Sequence, residues 1–164
     1  MSCYIGIDNG VTGSIALISD STCRFAIIPV KSEQSYTKAK ANITRVKVYE
    51  FEKILSEWVA GETGIRVFLE RPMVNPGRFK ATISAIRCLE AVLCCLERYS
   101  LSLEYVDSKQ WQKVLLPSGC VGDELKKASK DIGSRLFPQH ADAIKKHGDA
   151  DSLLIAEWAK RGSR

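Results

Sequence analysis

The chain opens on strict alternation. In Cys3-Tyr4-Ile5-Gly6-Ile7-Asp8 the side chains of Ile5 and Ile7 fall on one face of an extended segment, and Tyr4, Gly6 and Asp8 on the other. Residues 2–9 therefore read as a first strand. Gly10 and Gly13 mark a turn, a second strand begins at Ser14–Ile18, and residues 24–30, rich in Ile, Val and Phe, make a third. Short apolar runs separated by turn residues predict a three-stranded meander. Residues 31–42 are polar without periodicity and read as a loop. From 44 to 60, Val46, Val48, Phe51, Ile54, Leu55, Trp58 and Val59 recur at helical spacing, and Gly61 and Gly64 punctuate the end.

The second half alternates strands with helices. Ile65–Glu70 is a short apolar strand that finishes on a carboxylate. The loop over 71–77 carries Pro72 and Pro76, residues poorly tolerated inside a strand or helix. A long helix is predicted from Phe79 to Arg98, a short strand over 102–106, and a helix from Ser108 that includes Trp111. Pro117, Gly119 and Gly122 break the chain before a helix over Asp123–Leu136, and a last helix covers about 149–160. The order is mixed α/β, and a single domain over 1–164 without a linker is expected.

Size and composition agree with that reading. At 164 residues the chain can bury a sizeable core. Its 45% hydrophobic and 26% charged content is that of an ordinary globular protein. No apolar run approaches the roughly 20 residues of a membrane span, and Asp8 interrupts the N-terminal apolar segment, which also lacks a basic flank. A soluble, intracellular protein with no membrane partner is expected. The six cysteines form no C-x-x-C pair, so a zinc site has little support. Cys88, Cys94 and Cys95 lie in a helical apolar pattern, where buried free thiols in a reducing compartment are expected.

The net charge of +5 permits a polyanionic partner. Between Lys109 and Lys146 the basic residues Lys109, Lys113, Lys126, Lys127, Lys130, Arg135, Lys145 and Lys146 outnumber Asp123, Glu124, Asp131 and Asp142. A solvated helix face accounts for this as well as a nucleic-acid surface does.

Three acidic positions carry the candidate chemistry. Asp8 ends an apolar strand on the face where Gly6 leaves room, although it could simply cap the turn at Asn9-Gly10. Glu70 likewise ends an apolar strand, or is a surface glutamate. In Lys145-Lys146-His147-Gly148-Asp149-Ala150-Asp151, His147 and Asp151 are four apart and share a helical face if the turn has begun. Asp149 suits a helix N-terminus through the dipole. Carboxylates and an imidazole converging on one point would hold hard divalent cations such as Mg²⁺ or Mn²⁺. Two such ions can activate water and stabilise the leaving oxygen of a phosphodiester.

The opening Ile5-Gly-Ile-Asp8-Asn-Gly10-x-x-Gly13-x-x-Ala16-Leu17 resembles the first strand and turn of RuvC-type Holliday junction resolvases. Phe68-Leu69-Glu70 resembles their second acidic position. Lys145-Lys146-His147-x-x-Ala150-Asp151-Ser152-Leu153-Leu154-Ile155-Ala156 is similar to their C-terminal acidic helix, above all in phage, poxvirus and organellar members. Ser108-Lys-Gln-Trp111-Gln-Lys113, and Lys126-Lys127-Ala128-Ser129 through Leu136-Phe137-Pro138, also look like phage-type segments. Each motif is weak alone; the ordered set covers nearly the whole chain. The resemblance implies a ribonuclease H-like mixed five-stranded sheet flanked by helices, a homodimer, and paired nicks across a four-way DNA junction with Mg²⁺ or Mn²⁺, two ions per site. A phage or virus, a bacterium and an organelle are all compatible sources.

The resemblance assigns Asp8, Glu70 and Asp151 as metal ligands. Its fourth position lies three or four residues before the last aspartate. Gly148, at three, has no donor, so His147 is taken as ligand or water activator, with Asp149 next. The loop after Glu70 would approach the crossover, where Met73 or Val74 could wedge against unpaired bases or pack beneath the loop. Arg71, Arg78, Lys80, Lys109 and Lys113, with Lys126 and Lys127 of the basic helix, would contact phosphates. The helix over Phe79–Arg98 is apolar enough to pack on the sheet and touch a second subunit.

Three alternatives stay open. Asp8-x-Gly10-x-Thr12 also resembles the phosphate loop of actin-like sugar kinases, but those need two large domains. Another ribonuclease H-like nuclease, acting on branched DNA or RNA–DNA hybrids, would share the acids. A junction-binding module that has lost cleavage would be expected to lack one of them.

Overall fold

Alternation along the first strand decides how the molecule is layered. The computed structural model describes residues 2–36, 38 and 40–162. β1 (Cys3–Asp8), β2 (Ser14–Ile18) and β3 (Cys23–Ile27) form the antiparallel meander that the spacing predicts. After a separate hairpin, β4 (Val30–Gln34) and β5 (Asn42–Val46), and the helix α1 (Val48–Val59), the chain returns through β6 (Ile65–Glu70), parallel to β1. Helix α2 (Phe79–Arg98) then leads to β7 (Leu103–Val106), parallel to β6. The mixed sheet has the order β3-β2-β1-β6-β7. Helices α3 (Ser108–Leu115), α4 (Asp123–Leu136), α5 (Ala141–His147) and α6 (Asp151–Gly162) complete the chain.

The two faces of the sheet carry separate cores. Ile5, Ile7, Ile15, Leu17, Val67 and Leu69 pack with Phe51, Leu55 and Trp58 of α1 and with Cys88, Val92, Cys95 and Leu96 of α2. Each fully buried Ile or Leu contributes about 1.5–3 kcal/mol of hydrophobic stabilisation, which is why this alternation dictates the layering. On the other face Tyr4, Ala16, Ile18, Phe68 and Val106 meet Trp111 of α3, Ile144 of α5, and Leu153, Leu154, Ile155, Ala156 and Ala159 of α6.

Several expectations are corrected. The stretch 31–42 is not simply a loop, and the helix does not begin at 44: β4 and β5 pair from Val30 opposite Val46 to Gln34 opposite Asn42. Both strands are mostly polar and only Val46 is buried, so they lack the period-2 apolar signal. Glu33 pairs across the hairpin with Arg45 at 2.9 Å. Positions 37 and 39, between the two strands in sequence, lie outside the described residues. The last helix starts at Asp151 rather than 149, and α5 precedes it. All six cysteines are free thiols, but Cys94 is exposed rather than buried. Burial pushes the thiols of Cys3, Cys23, Cys88 and Cys95 up to about 11, so they stay protonated. No helix among the described residues is long and apolar enough to cross a membrane.

Candidate active site

Strand pairing brings the first two acids to one edge. β1 and β6 are parallel neighbours with Ile7 opposite Leu69, so Asp8 and Glu70, the residues that follow, leave the sheet side by side. The third element arrives from the far end of the sequence. A Cβ on Gly6 would lie 2.1 Å from the Ser152 carbonyl oxygen and 2.7 Å from the Ala156 nitrogen. Glycine is thus required for α6 to lie directly on β1. A buried hydrogen bond between the Ser14 and Ser152 hydroxyls, 2.8 Å, pins the same contact.

This approach sets Asp151, the first residue of α6, beside Asp8. One oxygen from each of Asp8, Asp149 and Asp151 falls within 4.8 Å of the others. Two neutral donors reach the acids from behind. The Trp111 indole N–H donates to Glu70 Oε2 at 2.9 Å. The Ser129 hydroxyl donates to Asp151 Oδ1 at 2.5 Å and accepts the Ala150 amide at 3.0 Å.

The electrostatics are those of acids crowded with too little counter-charge to balance them. Burial raises Asp8 well above the ordinary aspartate value, and the charges of Asp151, Glu70 and Asp149 raise it further, with Lys126 partly offsetting them. Burial pushes Glu70 up to about 7, opposed by the Trp111 hydrogen bond and reinforced by Asp151, Asp149 and Asp107. Asp151 rises to about 6 through burial and then Asp149, opposed by Ser129, His147 and Lys126. Carboxylates so placed repel each other until a cation joins them. The donor set, hard oxygens without sulfur, fits a divalent ion such as Mg²⁺ or Mn²⁺.

His147 meets the cluster through Asp149. It ends α5, where Gly148 adopts φ 111° and closes the helix through its amide to Ile144 O at 2.8 Å. The left-handed turn puts His147 and Asp151 on different helices, so the four-residue spacing does not give them a common helical face. The buried His147 ring packs edge-on against Phe25, with centroids 5.9 Å apart. Its Nε2 lies 3.4 Å from Asp149 Oδ1 and makes no hydrogen bond. Asp149 supplies the third clustered oxygen. Asp149 Oδ1 also lies 3.4 Å from the Asp151 amide, as a capping side chain would.

The loop beside the acids is exposed. Met73 is 77% and Val74 65% accessible, which removes the core-packing reading for both. Phe79, read from the sequence only as a helix start, is 68% accessible on the same segment. Arg71 is already held: its Nε lies 3.1 Å from Asp107 Oδ1 and its guanidinium 5.0 Å from the centre of the Tyr105 ring. Arg78, Lys80, Lys109, Lys113, Lys126 and Lys127 are exposed. Sequence reasoning missed the contacts of Trp111 and Ser129 with the acids. The one available signal was a tryptophan in the otherwise polar start of α3.

No family model matches the sequence, and no curated protein does. Solved structures do match in fold. The chain superposes on Thermus thermophilus RuvC in complex with a Holliday junction substrate at a TM-score of 0.57, with 13% identity, covering 99% of this chain and 98% of that one. A second T. thermophilus RuvC structure gives 0.54 and 14% over 98% and 96%. Fowlpox virus resolvase with its Holliday junction DNA gives 0.48 and 11% over 97% and 99%. In architecture and strand order the chain therefore has the ribonuclease H-like fold of RuvC over nearly its entire length.

Proposed function

We propose that this protein is a metal-dependent endonuclease, a single ribonuclease H-like domain that resolves four-way DNA junctions by paired nicks. The observation that carries the reading is the gathering of Asp8, Asp149 and Asp151 within 4.8 Å, beside Glu70, at the edge of a RuvC-like sheet. Fold alone would not license an activity; the acids do.

Asp8, Asp149, Asp151 and Glu70 would hold Mg²⁺ or Mn²⁺, two ions per site. Bound there, the ions supply water activation and stabilisation of the leaving 3′ oxygen. His147, packed against Phe25 with Nε2 3.4 Å from Asp149 Oδ1, is the imidazole placed to act as a ligand or water activator. Arg71, aimed by Asp107 and Tyr105, takes a phosphate beside the scissile one, while Arg78, Lys80, Lys109, Lys113, Lys126 and Lys127 hold the duplex arms. Met73 and Val74 stand free to press against bases opened at the crossover. A second copy, packed along α2, places two sites for the two nicks in the manner of a two-fold dimer.

The test uses a labelled synthetic four-way junction, a matched duplex, an RNA–DNA hybrid and a flap, with Mg²⁺, Mn²⁺ or EDTA. Paired, metal-dependent nicks confined to the junction and lost in Asp151→Asn are expected. Cleavage of the hybrid or flap instead would retain a nuclease and overturn the junction assignment. Tight junction binding without cutting in either metal would leave a binding module.

A further inference from the structure

Two groups touching the acids have no part in the chemistry described so far. Trp111 is fully buried in the α6-side core, three residues into a helix whose start is fixed by reciprocal bonds between Asp107 and Gln110. A phenylalanine would fill most of that volume. The indole adds one polar group, an N–H that cannot be buried without an acceptor. Its acceptor is Glu70 Oε2, at 2.9 Å and 41 positions away in sequence. Ser129 is 1% exposed on α4, and its hydroxyl meets Asp151 Oδ1 in the same way. Each donor comes from a helix outside the strand or helix that bears the acid, and each engages a single carboxylate oxygen.

We infer that Trp111 and Ser129 are positioning residues for the cation centre, each holding one oxygen of Glu70 or Asp151 and leaving the second free for a divalent ion. The inference rests on the metal reading above and extends it to residues that touch neither cation nor DNA. Its physical basis is general. A carboxylate with one oxygen held loses rotational freedom before the ion arrives, and removing such outer partners commonly weakens metal binding by about 10–100-fold. A packing role alone predicts something different, a loss of stability with metal affinity unchanged.

The experiment is Mn²⁺ titration of metal-free protein by calorimetry, for the wild type, Trp111→Phe, Ser129→Ala, and Trp58→Phe as a control tryptophan on the opposite face of the sheet. Weakening of Mn²⁺ binding by about tenfold in Trp111→Phe and Ser129→Ala, with Trp58→Phe unchanged, is expected. The Mn²⁺ concentration needed for half-maximal cleavage should rise in parallel, with the KM for junction unaltered. Should either variant not fold, the indole ¹⁵N–¹H resonances of the wild type decide. The Trp111 signal, assigned by elimination with Trp58→Phe and Trp158→Phe, should shift on Mg²⁺ addition more than the other two. Equal Mn²⁺ affinity in wild type and Trp111→Phe, or a Trp111 resonance indifferent to Mg²⁺, overturns the inference and leaves the metal reading standing. A wild-type protein that binds no Mn²⁺ overturns both.

Discussion

The two faces of the sheet solve different problems with the same strand. Toward α1 and α2, β1 presents Ile5 and Ile7, and large side chains fill the space between layers. Toward α6 it presents Gly6, and the neighbouring contacts are serine on serine and backbone on backbone. The first face holds the fold together by area removed from water. The second also buries a core, but at Gly6 it gives up a side chain so that a helix can come within atomic contact of a strand, with an acid at the end of each. Bulk and precision of placement are separated across one sheet.

That contrast can be broken most forcefully at Gly6. Gly6→Val drives methyl groups into the Ser152 carbonyl and is expected to cost about 3 kcal/mol or more, with no junction cleavage. Ile5→Val, on the other face, should cost only about 0.5–1.5 kcal/mol and leave cleavage near wild type. Denaturant unfolding and a junction assay on both variants read the difference. If Gly6→Val folds and cuts normally, the close approach is not what assembles the acids.

Asp8→Asn comes next. Removing one of the crowded charges should lower cleavage by roughly a thousandfold, equivalent to about 4 kcal/mol of barrier. It should also raise the melting temperature of the metal-free protein, because one buried repulsion is gone. A variant that loses activity and stability together would argue for a structural Asp8.

A smaller effect follows from pH. Folded, metal-free protein keeps the Glu70 and Asp151 protons to about pH 7 and about pH 6, whereas an unfolded chain releases them near 4.5 and 3.8. The folded state thus binds more protons across that window, so stability is full below the unfolded values and falls as pH rises through 6 and 7. Thermal melts in EDTA should drop by about 5 °C or more between pH 5 and pH 8. Saturating Mn²⁺ should erase the drop at pH 8, and a flat profile in EDTA would count against crowded, uncompensated acids.

Much of the first contrast was legible in the chain. Alternation in residues 3–8 gives the strand, the faces and the position of Asp8, and Ile65–Glu70 repeats the pattern for Glu70. The β4–β5 hairpin was not legible, because Lys31, Ser32, Glu33 and Gln34 have no buried face to alternate. Short α5 escaped for a similar reason: Ile144 is its single buried residue. The acids could be named and grouped by resemblance, but nothing local says that the chain turns at Gly148 and sets His147 and Asp151 on different helices. Trp111 and Ser129 reach their acids across 41 and 22 positions of sequence, a tertiary fact with no periodicity to announce it.

The least costly changes lie on the loop. Met73→Ala and Val74→Ala remove exposed side chains and should leave unfolding within about 0.5 kcal/mol of wild type. Junction affinity should fall a few-fold while duplex affinity holds. Lys109→Ala, by contrast, should weaken both substrates and reduce the slope of log affinity against log salt by about 0.9. If Met73→Ala behaves like Lys109→Ala, the loop holds DNA without sensing the crossover.

The seating of α6 on Gly6 also bears on when the acid cluster assembles. β1 leaves a ribosome before α6, and domains form from the N-terminal side during synthesis. Asp8 and Glu70 therefore wait, in a growing chain, for the two aspartates that complete their cluster. A chain that ends before α6 keeps Asp8, Glu70 and Asp149 but lacks Asp151 and the helix seated on Gly6. Completion of α6 is therefore the step that gathers the acid cluster.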